Sequence, residues 1–208
     1  MPITFAKAPR SARAQLVGHL TELARESRPP MASLRIEELS HSEAQPVYSV
    51  PLDALAQGKL LAAARQTGWR YLLVKDNAAV AEAELPVARR GAKAAASRAS
   101  SLTLTQGPFA GATVDALHAA ERLSQVARAD YELRLLNVPA VYLVALWLHR
   151  ADDDILIPMG NPPAGLKRNE PYREAAVIAA LREPAGRTMR FDEASRRRKP
   201  ARVKRTKR

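Results

Sequence analysis

The stretch VYLVALWL, residues 141–148, constrains the fold more than any other part of the chain, because its 8 residues are apolar at odd and even positions alike. Successive side chains of a β-strand point to opposite faces of the sheet. A strand with water on one side therefore alternates, and a strand covered on both sides does not. The stretch is predicted as a central strand, near residues 140–149, with structure packed on both of its faces. DILIPM, residues 154–159, follows a short polar connection and reads as its antiparallel hairpin partner. A membrane helix is excluded for this region, since the longest apolar run, Val138 to Leu148, has 11 residues including Pro139, against the roughly 20 a span requires.

Around that strand the patterning predicts an α+β fold. YELRLLNV (131–138) alternates like a half-exposed strand, and WRYLLV (69–74) and VYSVPL (47–52) have strand composition, with Ala79–Val87 as a hairpin partner and SLTLT (101–105) as a short alternating segment. Helices are expected near 12–26, with Leu16, Val17, Leu20, Leu23 and Ala24 on one buried face, and near 52–66, 112–127 and 171–182. The last of these is expected to stop at Pro184 and Gly186. The architecture is thus a mixed or mainly antiparallel sheet of about five strands covered by about four helices. Residues 1–184 form a single domain in this reading, 88–101 an exposed basic loop, and 185–208 a disordered basic tail. Shifting the chain by 62 residues aligns 52–74 with 114–136, matching Asp53 with Asp115, Leu55 with Leu117, Leu61 with Leu123, Trp69 with Tyr131 and Leu73 with Leu135. Two related helix-then-strand units and a chance likeness of Ala- and Leu-rich helices both account for this.

Composition narrows the chemistry. The 208 residues include no cysteine, which removes disulfides, thiolate metal ligands and cysteine nucleophiles together and fits a reducing cytoplasm. Lys7, Arg10 and Arg13 interrupt the region where a secretory leader needs an apolar core, so export by that route and membrane association are not expected. The Ala- and Arg-heavy usage resembles that of bacterial chains.

Local motifs for catalysis are weak. WLHRADDDILIP (147–158) places His149 beside Asp152, Asp153 and Asp154. Asp favours turns because its carboxylate bonds nearby backbone NH groups, so a hairpin connection is the first reading; a catalytic cluster of these four residues is the alternative. The stretch lacks the central glycine and distal glutamate of a calcium loop. His19, His41, His118 and His149 lie far apart with no H-E-x-x-H spacing, so no metal site is expected. GPFAGATVD (107–115) lacks the Lys-Ser/Thr ending of a phosphate-binding loop and reads as a turn and helix start. Glu82 and Glu84 share a strand face and are read as solvated edge charges. No cofactor is expected.

Charge placement gives the strongest signal. Of the net +12, residues 190–208 hold +8, from ten Lys or Arg against Asp192 and Glu193, whereas residues 1–189 carry 23 basic and 19 acidic groups. Within RRRKPARVKRTKR, the residues Arg196, Arg197, Arg198, Lys199, Arg202, Lys204, Arg205, Lys207 and Arg208 are nine cations in thirteen positions with no acid. Such a segment can track a phosphate backbone and release its counterions. It has no aromatic beyond Phe191 for stacking on bases, so nonspecific contact to DNA, RNA or another polyanion is expected of it. The function expected is that of a non-enzymatic binding or adaptor protein, with a protein partner or a second copy of the chain for the folded part. The alternatives are an enzyme using the His149 cluster, or an assembly subunit that buries strand 140–149 at an interface and carries the tail as a solubilising extension.

Overall fold

The computed structural model describes residues 3–26, 35–87 and 102–198; the basic stretch 88–101 and the tail from Lys199 onward lie outside the described residues. In chain order the elements are β1 (Ile3–Phe5), α1 (Arg10–Glu26), β2 (Ser40–His41), β3 (Gln45–Ser49), α2 (Leu52–Ala56), β4 (Arg65–Lys75), β5 (Ala78–Pro86), β6 (Thr103–Gln106), α3 (Pro108–Glu121), β7 (Tyr131–Val138), β8 (Leu143–His149), β9 (Ile155–Pro158) and α4 (Glu174–Arg198). The α+β class and the four helices stand, but the sheet has nine strands rather than about five. The additional ones include the hairpin arm β5 and its neighbour β6, and the short strands β1 and β2. No helix among the described residues is long and apolar enough to cross a membrane.

The sheet runs β6-β5-β4-β3-β7-β8-β9, with β1 alongside β7 and β2 alongside β4. It is mixed: β3 and β1 run parallel to β7, and the other pairings are antiparallel. β8 is paired on both edges, by β7 and β9, and its two parities are buried in different places. Leu146 and Leu148 join Leu133, Leu135, Ile155 and Ile157 beneath α3, whose Ala112, Ala116 and Ala120 face them. Leu143, Ala145 and Trp147 join Leu136, Val138 and Leu156 beneath Leu55 of α2 and Val177, Leu181 and Ala185 of α4. The same face, farther along the sheet, carries α1, where Ala12, Leu16 and Leu20 pack on Tyr71, Leu73, Ala81, Ala83 and Leu85. Val17 departs from its expected burial and is 50% exposed. β8 itself, closed on two edges and two faces, leaves little of its own surface for a partner, whereas Tyr142 just ahead of it is exposed.

Three helix boundaries differ from expectation. α2 ends at Ala56, because the chain turns through Gly58 at φ +75 before a short 3-10 turn and β4. α3 starts earlier, at Pro108, and ends at Glu121 rather than near 127. Gly107, at φ +152, makes the turn from β6 into it, a conformation open to glycine and strained for other residues. α4 begins at Glu174 and passes through Pro184 to Arg198 instead of stopping near 182, so residues 185–198 are helical rather than disordered. The two segments matched by the 62-residue shift both run helix then strand. Their helices differ, however: α2 has 5 residues and packs with α4, whereas α3 has 14 and packs on the opposite face of the sheet.

Candidate functional site

The end of the β8–β9 hairpin holds a dense arrangement of polar side chains. A turn at Arg150–Asp153 is closed by the Asp153 amide donating to the Arg150 carbonyl at 3.3 Å, as the hairpin reading required. The three aspartates then diverge. Asp152 pairs with Arg150 at 3.2 Å at the exposed tip. Asp153 accepts from the Tyr131 hydroxyl of β7 and pairs with Arg173, just before α4. Asp154 accepts from the buried Trp147 Nε1 at 2.7 Å and faces His149 Nδ1 at 2.7 Å. An ionised carboxylate only accepts, so Nδ1 carries the hydrogen of this bond.

Aromatic packing continues the cluster across the sheet. Trp147 meets His149 and Tyr48 edge to face, with centroids 5.5 and 5.1 Å apart. The Arg134 guanidinium lies 4.8 Å from the Trp147 ring and 5.1 Å from the Tyr48 ring, and is held by Glu132 at 2.6 Å. The register explains the assembly, since Glu132 lies opposite His149 and Arg134 opposite Trp147 on neighbouring strands. Of the four residues singled out in the sequence, the structure brings together His149 and Asp154 and sends Asp152 and Asp153 to other partners. Tyr131, Arg134, Tyr48 and Arg173 come from distant segments, where no local spacing announces them.

An imidazole oriented by a carboxylate is the base half of a nucleophilic site. Here no hydroxyl hydrogen-bonds His149 among the described residues, and the Tyr131 hydroxyl is committed to Asp153. Asp154 also satisfies the indole NH of Trp147, a group that costs stability when buried without a partner. The arrangement ties β7, β8, the hairpin turn and the start of α4 together. Among the described residues no group of three or more acidic or histidine side chains is placed to hold a metal ion.

A second polar cluster is buried. Arg70 of β4 is 2% exposed; it donates through Nε and Nη2 to Gln45 Oε1 at 3.1 and 2.6 Å, and through Nη1 to Glu82 at 3.1 Å. Glu82 and Glu84 are thus not solvated edge charges, because β6 extends the sheet beyond β5 and they share the face of Arg70. Burial pushes the Glu84 carboxyl above its ordinary range, opposed by the Arg70 charge and reinforced by Glu82. Burial likewise lowers the Arg70 guanidinium, and the two glutamates offset it. Every hydrogen bond described for this guanidinium is internal, which makes the cluster part of the core. An open cleft lies nearby, lined by Ser49–Pro51, Arg65–Thr67, Pro86 and Val87. Among the described residues Arg65 is the single charged side chain lining it.

The basic segment is reached through α4. Its packing ends with buried Ala185 and with the Thr188 hydroxyl, which donates to the Ala140 carbonyl at 3.2 Å. Beyond that turn Arg190, Phe191 and Ala194 are exposed. Arg196, Arg197 and Arg198 are the last residues of the helix. Lys199, Arg202, Lys204, Arg205, Lys207 and Arg208 lie outside the described residues.

Comparison with protein-family models, with curated proteins and with solved structures finds no match for this chain. Its function is argued from its own residues.

Proposed function

We propose that the chain is a non-enzymatic adaptor that attaches to nucleic acid, without sequence preference, through its basic C-terminal segment. One observation carries the reading: residues 190–208 concentrate +8 of charge, following Thr188, the last residue of α4 with a described hydrogen bond to another element. A run of cations this dense is suited to a long polyanion. The body, with 23 basic and 19 acidic groups, contributes little net attraction of its own. In the β8–β9 cluster Asp154 also accepts from Trp147, and among the described residues no hydroxyl bonds His149, which leaves the adaptor reading without a competing nucleophile there.

The test is binding of the full chain to random-sequence DNA and RNA over a salt series, beside a full-length variant with the nine cations between Arg196 and Arg208 changed to glutamine. Six phosphate contacts predict roughly a thousandfold loss of affinity between about 50 and 200 mM salt, and a slope near −5 in log–log form on duplex. The variant is expected to lose most of that slope. Binding that is equal in both proteins and insensitive to salt overturns the proposal.

A further inference from the structure

Resting on the nucleic-acid reading above, we infer that Phe191 and Tyr142, flanked by Arg187 and Arg190, form a stacking surface that makes the chain prefer single-stranded over duplex nucleic acid. Tyr142 is 86% exposed and Phe191 72%, well above any other large hydrophobic side chain among the described residues. One hydrogen bond links the two segments that carry the rings. The Thr188 hydroxyl bonds to Ala140, within the 3-10 turn Pro139–Val141 that leads directly into Tyr142. Phe191 follows Thr188 by three residues, an advance of about 4.5 Å along the helix axis. Tyr142 also adopts φ +55, the left-handed conformation that bulky residues rarely take, while its ring stays in solvent.

Cations accompany the rings in register. Arg187, Arg190, Phe191 and Ala194 recur at spacings of three and four, so they share one side of α4, and all four are exposed. Glu183, one turn before Arg187, pairs with it at 3.5 Å, and Arg190 has no such partner among the described ion pairs. A phosphate backbone alone needs no aromatic partner. Exposed rings beside arginines suit bases whose faces are free, and a duplex hides those faces inside its own stack. The tail has no such ring after Phe191, so the turn where α4 leaves the body is where stacking chemistry is placed.

The experiment measures binding of the full chain, F191A, Y142A and the double variant to labelled random oligonucleotides of about 20 nucleotides, single-stranded and duplex. Phosphatidylserine vesicles form a third arm, and thermal unfolding verifies that each variant is folded. The expected result is tighter binding of the full chain to single strands. Each ring removal should then weaken single-strand binding by about 5- to 100-fold and leave duplex binding nearly unchanged. F191Y and Y142F, which keep the rings, are expected to retain the preference. Equal binding of single strands and duplex, unmoved by the substitutions, overturns the stacking surface and leaves the polyanion reading standing. Binding to neither nucleic acid overturns both. Ring-dependent binding to vesicles alone assigns the rings to a lipid surface and overturns the inference as well.

Discussion

At the scale of single residues, the most informative group is a carboxyl that the fold holds against its own ionisation. Glu84 faces the same side of the sheet as Arg70 and Glu82, and burial raises its proton affinity more than the Arg70 charge lowers it. An acid whose folded value lies above its unfolded one stabilises the fold fully below the unfolded value, ordinarily 4.5, and loses that contribution as pH rises through the folded value. Ionised Glu84 is therefore a cost at neutral pH. Glu84→Gln, which fixes the neutral form, is expected to raise the melting temperature at neutral pH, with the gain shrinking to nothing as pH falls below the ordinary carboxyl range. Thermal unfolding of both proteins across a pH series measures this directly. A neutral-pH loss would mean that attraction to Arg70 outweighs desolvation. The role of Arg70 itself was not legible in the sequence, where WRYLLV offers a lone cation inside a strand and nothing to show that Gln45, 25 positions away, meets it. The same holds for the aspartates after His149. Asp as a turn former could be read from the chain, but the partners Tyr131 and Arg173 could not, because they arrive through strand pairing and the approach of α4.

At the scale of elements, α4 shows where local signals lose to packing. Pro184 lacks the amide that would bond Ala180, and a proline inside a helix costs about 3 kcal/mol relative to alanine. Pro184 and Gly186 together read as a stop. The helix nonetheless continues, because Ala185 is buried against the sheet and Thr188, one turn past the proline, bonds to Ala140 and back to the Pro184 carbonyl at 3.1 Å. Contacts from another part of the chain thus sustain a helix that its own sequence interrupts. Replacing the proline should recover part of the local cost: Pro184→Ala is expected to stabilise the protein by about 1–3 kcal/mol in urea unfolding. A destabilised variant would show instead that the bend at Pro184 is what seats Ala185 and Thr188. α2 fails in the other direction. Leu52–Gln66 has helical composition throughout, yet only Leu52–Ala56 is α-helical, since Gly58 turns the chain and Arg65 already pairs in β4. The strands were better announced. Two-parity burial of β8 and the alternation of β7 follow from a periodicity of two, a local property that tertiary contacts reinforce rather than override.

At the scale of the whole molecule, sheet order was out of reach because β3, β7 and β1 are joined in parallel across more than 80 residues, and nothing local encodes which distant strands pair. Charge segregation, by contrast, could be read from composition alone, and the structure adds where the body ends and the basic segment begins. Ala185 is the last residue of α4 in the apolar core and Thr188 the last with a described bond to another element. Removing residues 190–208 therefore deletes no buried side chain among the described residues and relieves the repulsion among ten cations. A chain ending at Met189 is expected to match the full chain in unfolding free energy within about 0.5 kcal/mol, the range of ordinary surface changes. It is also expected to lose the salt-dependent part of its affinity for nucleic acid. Parallel urea titrations and binding assays on the two proteins separate these quantities. Equal stability with lost binding makes the segment an appendage of an independently folded body. A marked loss of stability would place the distal half of α4 inside the folding unit, and any effect on binding would then have to be read through the altered fold.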